Sequence, residues 1–322
     1  MYDDFIRYKG VEWSLPLLFQ YEPVYPILHR RFTAIDIRDM KVNLFGSPAC
    51  LWSGGRKPSV YGELNTGVLM NVFRYCKLFN ATPTLTFTST NILNEDLRDE
   101  YCNLILELAL EAGARFIVFE DRLRDYIKSK NPEAIVVASV IKSIFEFQDP
   151  ENIKDATVEK ETLYYNKLLK DYDIVVVRPE YSKKALLYCK DEISDLSRLE
   201  VLINQTCAYN CPKATEHYRS YELVKEQDGP LPFTCFMHDI KPKIQFEYEN
   251  TCVHDYSLVK ELVDNGIKHL KLQGRGASRT METVAYLLYT QMFKTTGSGY
   301  SVLENSMDDL EQEIEYFHKF IF

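Results

Sequence analysis

Arg115-Phe116-Ile117-Val118-Phe119 and Ala134-Ile135-Val136-Val137-Ala138 are two short apolar runs, separated by a polar segment, Leu123 to Lys130, with helical spacing. A strand with one wet face alternates polar and apolar residues. A strand covered on both faces does not, and such runs alternating with helices mark a parallel sheet. The unit repeats in both directions. Upstream, Leu97, Tyr101, Leu104, Ile105, Leu108 and Ala109 predict an amphipathic helix stopped by Gly113. Before it, Val68 to Leu78 predicts a helix leading to the strand Thr84 to Thr88, and Lys41 to Gly46 reads as the first strand. Downstream, helices at 158–170 and 182–191 lead to strands at 172–177 and 199–203. A helix around Val259 to Val263, stopped at Gly266, leads to His269-Leu270-Lys271-Leu272, and Met281 to Phe293 predicts the last helix. A total of about eight strands favours a closed barrel over an open sheet, and the first βα turn lacks the glycine fingerprint of a dinucleotide-binding fold. The expected fold class is α/β, a (β/α)8 TIM-type barrel over residues 41–295 with a cysteine-bearing insert at about 207–252. Residues 1–40, rich in aromatics and prolines, are expected to be an extended N-terminal segment, and 296–322 a C-terminal helical extension.

In such a barrel the chemistry gathers at the C-terminal ends of the strands. The residues expected there are Asn43, Thr88-Ser89-Thr90-Asn91, Glu120-Asp121, Arg178-Pro179-Glu180, Asn204-Gln205-Thr206-Cys207 and Gln273-Gly274-Arg275. Each alone suits a cap or a turn. As a set they ring one mouth, and Glu120, Asn204 and Arg275 are the candidate catalytic residues, with Arg275 able to grip a carboxylate or phosphate through two parallel hydrogen bonds. Ser53-Gly54-Gly55-Arg56-Lys57-Pro58 is a loop of breakers, either a surface connection or a cradle for an anion.

The chain has 322 residues and a formal charge of −9, so no global basic surface invites nucleic acid. No window reaches the roughly eighteen apolar residues of a membrane span, and Met1-Tyr2-Asp3-Asp4 does not open a signal peptide. A soluble, cytoplasmic protein is expected. Leu310, Ile314, Phe317 and Ile321 predict a helix docked outside the barrel or, alternatively, one that binds a protein partner.

Eight cysteines without an export signal argue against a disulfide framework. Cys76, Cys102 and Cys189 fall in helical patterns and read as packing residues; Cys50 stands apart. Cys207, Cys211, Cys235 and Cys252 crowd into one forty-six-residue window. The first two flank a tight turn closed by Pro212, a geometry that lets two soft thiolates converge on one ion or cluster. The four are the expected ligands of a metal or cofactor: a [4Fe-4S] cluster, or alternatively zinc. His217, His238 and His254 lie in the same window and are candidate substitutes for one sulfur.

Leu270-Lys271-Leu272-Gln273-Gly274-Arg275, preceded by Asn265-Gly266-Ile267-Lys268, resembles the closing strand of the collagenase-like peptidase family U32, and the Cys207–Cys211 turn is similar to that family's cysteine-bearing strand. The wider superfamily includes oxygen-independent hydroxylation proteins of ubiquinone synthesis and relatives that hydroxylate RNA bases. The resemblance implies a TIM-type barrel and, as in several members, a [4Fe-4S] cluster. The match covers Cys207, Cys211, Gly274 and Arg275. Gln273 stands where the family has glutamate, and the longer cysteine signature of the peptidases is missing, so the chain reads as a short, divergent relative.

Three functions follow as expectations. The first is an iron–sulfur barrel protein in oxygen-independent hydroxylation or a related modification of an organic or RNA substrate, with Lys271 and Arg275 offsetting the cluster's negative charge. The second is a non-catalytic barrel, a binding module or subunit with a structural zinc site. The third is a peptidase-like hydrolase, although no Ser/His/Asp or His-Glu-x-x-His pattern is present. A radical enzyme using S-adenosylmethionine would need a third cysteine at position 214, which is Ala214.

Overall fold

The computed structural model describes residues 11–16, 18–19, 41–54, 65–78, 80–148, 157–181, 184–202, 211–223, 233–234 and 261–272. Eight strands are present: β1 (Glu12–Leu15), β2 (Lys41–Gly46), β3 (Ala81–Phe87), β4 (Arg115–Val118), β5 (Val136–Ala138), β6 (Ile174–Val177), β7 (Leu199–Leu202) and β8 (His269–Lys271). All pair in parallel, in chain order, and β1 closes onto β8 with Glu12 opposite His269 and Ser14 opposite Lys271. This is the (β/α)8 barrel expected from the alternating runs.

The closure corrects the expected start of the barrel. The first forty residues are not merely an extension, because Glu12-Trp13-Ser14-Leu15 is the strand that seals the ring. Its four residues alternate polar and apolar, and a β-period of four residues is too short to stand out among neighbouring prolines and aromatics.

The helices described are α1 (Thr66–Leu78), α2 (Glu100–Glu111), α3 (Asp121–Lys130), α4 (Val140–Phe147), α5 (Val158–Asp171), α6 (Lys184–Tyr188) and α7 (Ala214–Glu222). Three of them, α2, α4 and α5, start at short polar side chains that cap them. Asp99 accepts from the Cys102 N–H at 2.7 Å, Ser139 from Ile141 at 3.3 Å and Thr157 from Lys160 at 3.3 Å. Helix α4 falls where the sequence reading assigns no element. Its Val140-Ile141…Ile144-Phe145 composition favours strands, and the Ser139 cap together with tertiary packing overrides that preference. The expected helices at 281–293 and 307–322 lie outside the described residues.

Alternation along the strands sorts two cores. Leu44, Phe87, Phe116, Val118, Val136, Val175, Val177, Val201 and Leu270 face the helices and join Leu69, Ile105, Leu123, Ile127, Tyr165 and Leu168 in the main cluster. Each such side chain stabilises the fold by roughly 1.5–3 kcal/mol when fully buried. The intervening residues Phe45, Ile117, Val137, Ile174, Val176 and Leu202 form a separate apolar cluster inside the ring. Cys76, Cys102 and Cys189 are buried, as their helical positions predict.

The other half of the barrel interior is polar. Lys271 donates to Glu200 at 2.8 Å, Ser14 donates to the other oxygen of Glu200, Asn43 donates to Ser14 at 3.0 Å, and Thr84 donates to Asn43. One hydrogen-bonded chain therefore crosses β8, β7, β1, β2 and β3. Below it, at the strands' N-terminal ends, Arg115 on β4 reaches across the ring to both oxygens of Glu12, and His269 lies 3.5 Å from the same carboxylate. Burial alone would raise the Glu12 carboxyl. The hydrogen bonds and charges of His269 and Arg115 outweigh it and bring it down to about 2.

Candidate site at the barrel mouth

The C-terminal mouth is built from the strand exits. After β2, the segment Ser47 to Gly54 folds over the exit of β3. The Ser47 and Thr86 hydroxyls meet at 2.5 Å, and the Ser89 N–H donates to the Trp52 carbonyl at 3.0 Å. Glu222, the last residue of α7, closes this wall from the other side. Its carboxylate accepts from the Ser89 hydroxyl at 2.9 Å, the Thr90 N–H at 2.7 Å and the Thr90 hydroxyl at 3.3 Å. Gly54 has φ +54, and a Cβ there would meet Glu222 Oε1 at 2.5 Å and Ser89 Cα at 3.0 Å. The breaker loop thus uses its first glycine to admit a carboxylate of the protein itself.

Two adjacent carboxyls at the exit of β4 have opposite environments. Asp121 accepts from Lys142 at 2.8 Å and from the Tyr172 hydroxyl at 2.6 Å. Burial pushes Asp121 up, but these hydrogen bonds and the charges of Lys142 and Arg124 outweigh it and hold it below the ordinary range. Glu120 occupies the N-cap position of α3 without capping it, and among the described residues its carboxylate makes no hydrogen bond or ion pair. Partial burial raises it above the ordinary carboxyl range; Arg122 and Lys142 pull the other way, while Asp121 and Glu222 add to the rise.

At the exit of β6, charges are committed to each other. Arg178, at the exit of β6, grips Glu161 of α5 with two hydrogen bonds of 2.7 and 2.5 Å and lies 3.7 Å from Glu180. Its backbone N–H donates to the Tyr165 hydroxyl at 3.1 Å. Arg178 and Glu180 are therefore parts of a buried ionic cluster.

Other expected site residues fall as follows. Asn43 is not at a strand end but in the middle of the polar chain inside the ring. Lys271, expected to face a cluster, is paired with Glu200. Cys211 is buried among Ile144, Ala214, Val140, Phe145 and Tyr218, on the connection from β7 to α7. His217 stacks on Phe233 with centroids 4.5 Å apart and planes at 3°. Asn204, Cys207, Cys235, Cys252, Gln273, Gly274, Arg275, His238 and His254 lie outside the described residues. Among the described residues, no three His, Cys, Asp or Glu side chains converge as metal ligands, and no helix is long and apolar enough to cross a membrane.

Sequence reasoning missed Glu200, Glu161 and Glu222. A signal existed for the first, a lone acid inside the apolar run Leu199-Glu200-Val201-Leu202, matched by Lys271 between Leu270 and Leu272. Buried charges come in pairs. Glu161 and Glu222 sit in helices otherwise rich in charge, where nothing in the spacing marks them.

No family model matches the chain, and no curated protein matches it. Solved structures do resemble it. The U32 peptidase Mk0906 superposes with a TM-score of 0.48 at 10% identity, over 83% of this chain and 93% of that one. The carboxyl transferase domain from Rhizobium etli pyruvate carboxylase gives 0.45 at 8% identity, over 95% of this chain and 48% of that one. The Bacillus cereus spore cortex-lytic enzyme SleL gives 0.38 at 13% identity, over 90% of this chain and 76% of that one. The likeness is one of fold.

Proposed function

We propose that the chain is a barrel enzyme that transfers protons on an organic substrate held at the C-terminal mouth, with Glu120 giving or taking the proton. The observation that carries this reading is the contrast between Glu120 and its neighbours. Asp121, Glu161, Glu200 and Glu222 are all bound by donors, whereas Glu120 has no partner among the described residues and a raised pKa. Neighbouring carboxyls whose environments push their pKa values apart are the usual basis of acid and base assignment. A peptidase-like hydrolase and a modifying enzyme both fit within this reading. The test is a panel of chromogenic amide, ester and glycoside substrates run with wild type and Glu120→Gln. A turnover found in wild type should drop by about 10²–10⁴ in the variant, the ordinary scale of general acid–base catalysis. Equal rates in the two proteins would refute the assignment.

A second reading retains the cysteine window as a [4Fe-4S] site, with zinc as the alternative, serving oxygen-independent hydroxylation of an organic or RNA substrate. What favours it is the position of Cys211. This thiol lies on the β7 to α7 connection, and α7 delivers Glu222 to the same mouth. The apolar shell of Cys211 suits a site shielded from water. Cys207, Cys211, Cys235 and Cys252 would hold the group, which would supply electron transfer or activation. Iron, zinc and acid-labile sulfide in anaerobically purified protein decide between cluster, zinc and neither. Cys207→Ala and Cys211→Ala should each abolish loading. Retention of full metal in both would end this reading.

A further inference from the structure

The face opposite the mouth has a concave surface of its own. A groove of about 600 Å³ opens between α1 and α2 at the start of β3, a volume in the range of small-molecule sites. The strand register accounts for it. β3 pairs with β2 from Ala81 onward but with β4 only from Thr84, opposite Arg115, so Ala81 to Pro83 run below β4 with no strand on that side. The turn that brings α2 back to β4 stays clear of this space: Gly113 has φ +67, and a Cβ there would meet nothing within 4 Å. Pro83 has no N–H to donate, so this edge does not suit an added peptide strand.

The two walls differ in charge. On α1, Met70, Phe73, Arg74 and Lys77 follow the i, i+3, i+4, i+7 spacing that puts side chains on one side of a helix. On α2 the groove is lined by Leu108 and Glu111. Met70 is 46% exposed, and Phe73 and Leu108 are continuous with the main core, so the groove has an apolar part. Arg74, Lys77 and Glu111 are exposed, and among the described residues none of their side chains makes an ion pair or hydrogen bond. Cations near a helix C-terminus commonly match its free carbonyls, but here backbone donors already meet several of them. The Asn80 N–H donates to the Lys77 carbonyl at 3.2 Å. The Ala112, Gly113 and Ala114 N–H groups donate to the carbonyls of Leu108, Leu110 and Ala109 at 3.1, 3.0 and 2.9 Å. Two cations against one acid leave the charged part of the groove positive.

We propose that this groove binds an amphipathic organic carboxylate, with Arg74 and Lys77 on the charged head and the acyl tail against Met70, Phe73 and Leu108. A guanidinium holds both oxygens of a carboxylate through parallel hydrogen bonds, and the Lys77 ammonium adds a point charge beside it. The tail and the exposed Met70 cover each other from water. Glu111 opposes the head from the other wall and weakens its binding. The groove lies at the strands' N-terminal ends, so its occupation does not depend on the reaction that Glu120 serves at the mouth.

The experiment is equilibrium dialysis of the full chain against radiolabelled decanoate, kept below the concentration at which it forms micelles. Wild type should show saturable binding at a single class of site. Arg74→Glu together with Lys77→Glu should weaken it by about tenfold, the scale of a hydrogen bond to a charged group, and Glu111→Gln should tighten it. Ala112→Phe fills the groove while keeping both cations, at a position whose φ of −79 and ψ of −2 accept any side chain, and should also weaken binding. All four positions are exposed, so these variants keep the fold. Decanol, which has the tail without the charge, should compete poorly. Absence of saturable binding to wild type overturns the proposal. Binding unchanged by the charge reversals or by Ala112→Phe overturns it as well, because the ligand then sits elsewhere, and decanol competing as well as decanoate overturns the role of the two cations.

Discussion

One carboxylate at the floor of the barrel and one at its mouth are treated in opposite ways. At the floor, Glu12 is held by Arg115 from across the ring and by His269 from the next strand. At the mouth, Glu120 is partly buried yet has no partner among the described residues. Burial disfavours the charged form of both groups. Donors reverse the effect at Glu12, and at Glu120 burial prevails over the charges of Arg122 and Lys142. The difference teaches how to divide the acids of the ring: those with donors lock it, and Glu120, which has no partner among the described residues, is available for chemistry.

The comparison breaks most sharply at the polar chain above the floor. Glu200→Ala leaves the Lys271 ammonium buried without its carboxylate, which should cost about 3–5 kcal/mol in denaturant unfolding. Replacing both together, by Glu200→Leu with Lys271→Met, should restore most of that loss. A double variant as unstable as the single one would show that the pair stabilises the barrel beyond satisfying its own charges.

The floor can be titrated. Glu12 falls from 4.5 in the unfolded chain to about 2 in the fold. Its contribution to stability is therefore complete above about pH 4.5 and disappears as the pH drops toward 2, amounting to about 3 kcal/mol. Glu12→Gln should flatten that part of the stability profile. An unchanged slope between pH 5 and 2 would mean that the Arg115 contact does not hold Glu12 in solution.

Gly54→Ala tests the mouth wall. The added methyl would meet Glu222 and the Ser89 backbone at a positive φ, and a loss of about 1–3 kcal/mol is expected. Thermal unfolding together with the mouth activity would show whether the wall and the site move together.

The smallest effect is expected at Glu120 itself. Because its folded pKa is raised, its ionisation opposes folding as the pH rises from the ordinary carboxyl range through the folded value. Glu120→Gln should remove that dependence and change stability at neutral pH by no more than about 0.5 kcal/mol. A clear destabilisation would move Glu120 from the chemistry to the framework.

Most of the ring was legible because its strands are covered on both faces, so that runs such as Ile174 to Val177 carry almost no polar residues. The strand that could not be read, Glu12–Leu15, has inward residues Glu12 and Ser14, both tied into polar contacts inside the barrel. With polar residues facing inward and only four positions in all, it lacks both the apolar continuity and the length by which the other strands are recognised. At the mouth, Glu120 was legible as the polar residue that ends an apolar run. Glu222 was not, because its place beside Ser89 is set by the path of α7 across the barrel and not by any local pattern. Asn43 was misplaced, three residues short of the end of β2 at Gly46, for a related reason: at the sequence level, a polar residue inside the ring looks the same as one at its rim.

Pairing of β1 with β8 joins residue 12 to residue 269, nearly the longest contact the described chain makes. During synthesis every other strand can find a neighbour soon after it emerges, whereas β1 keeps one edge unpaired until the end of the ring is made. The ion pair of Lys271 with Glu200, and the bond from Ser14 to the same carboxylate, form only at that last step. The buried charges thus act as a latch on ring closure, and a chain stalled before β8 would expose Glu200 without its cation on an open sheet edge.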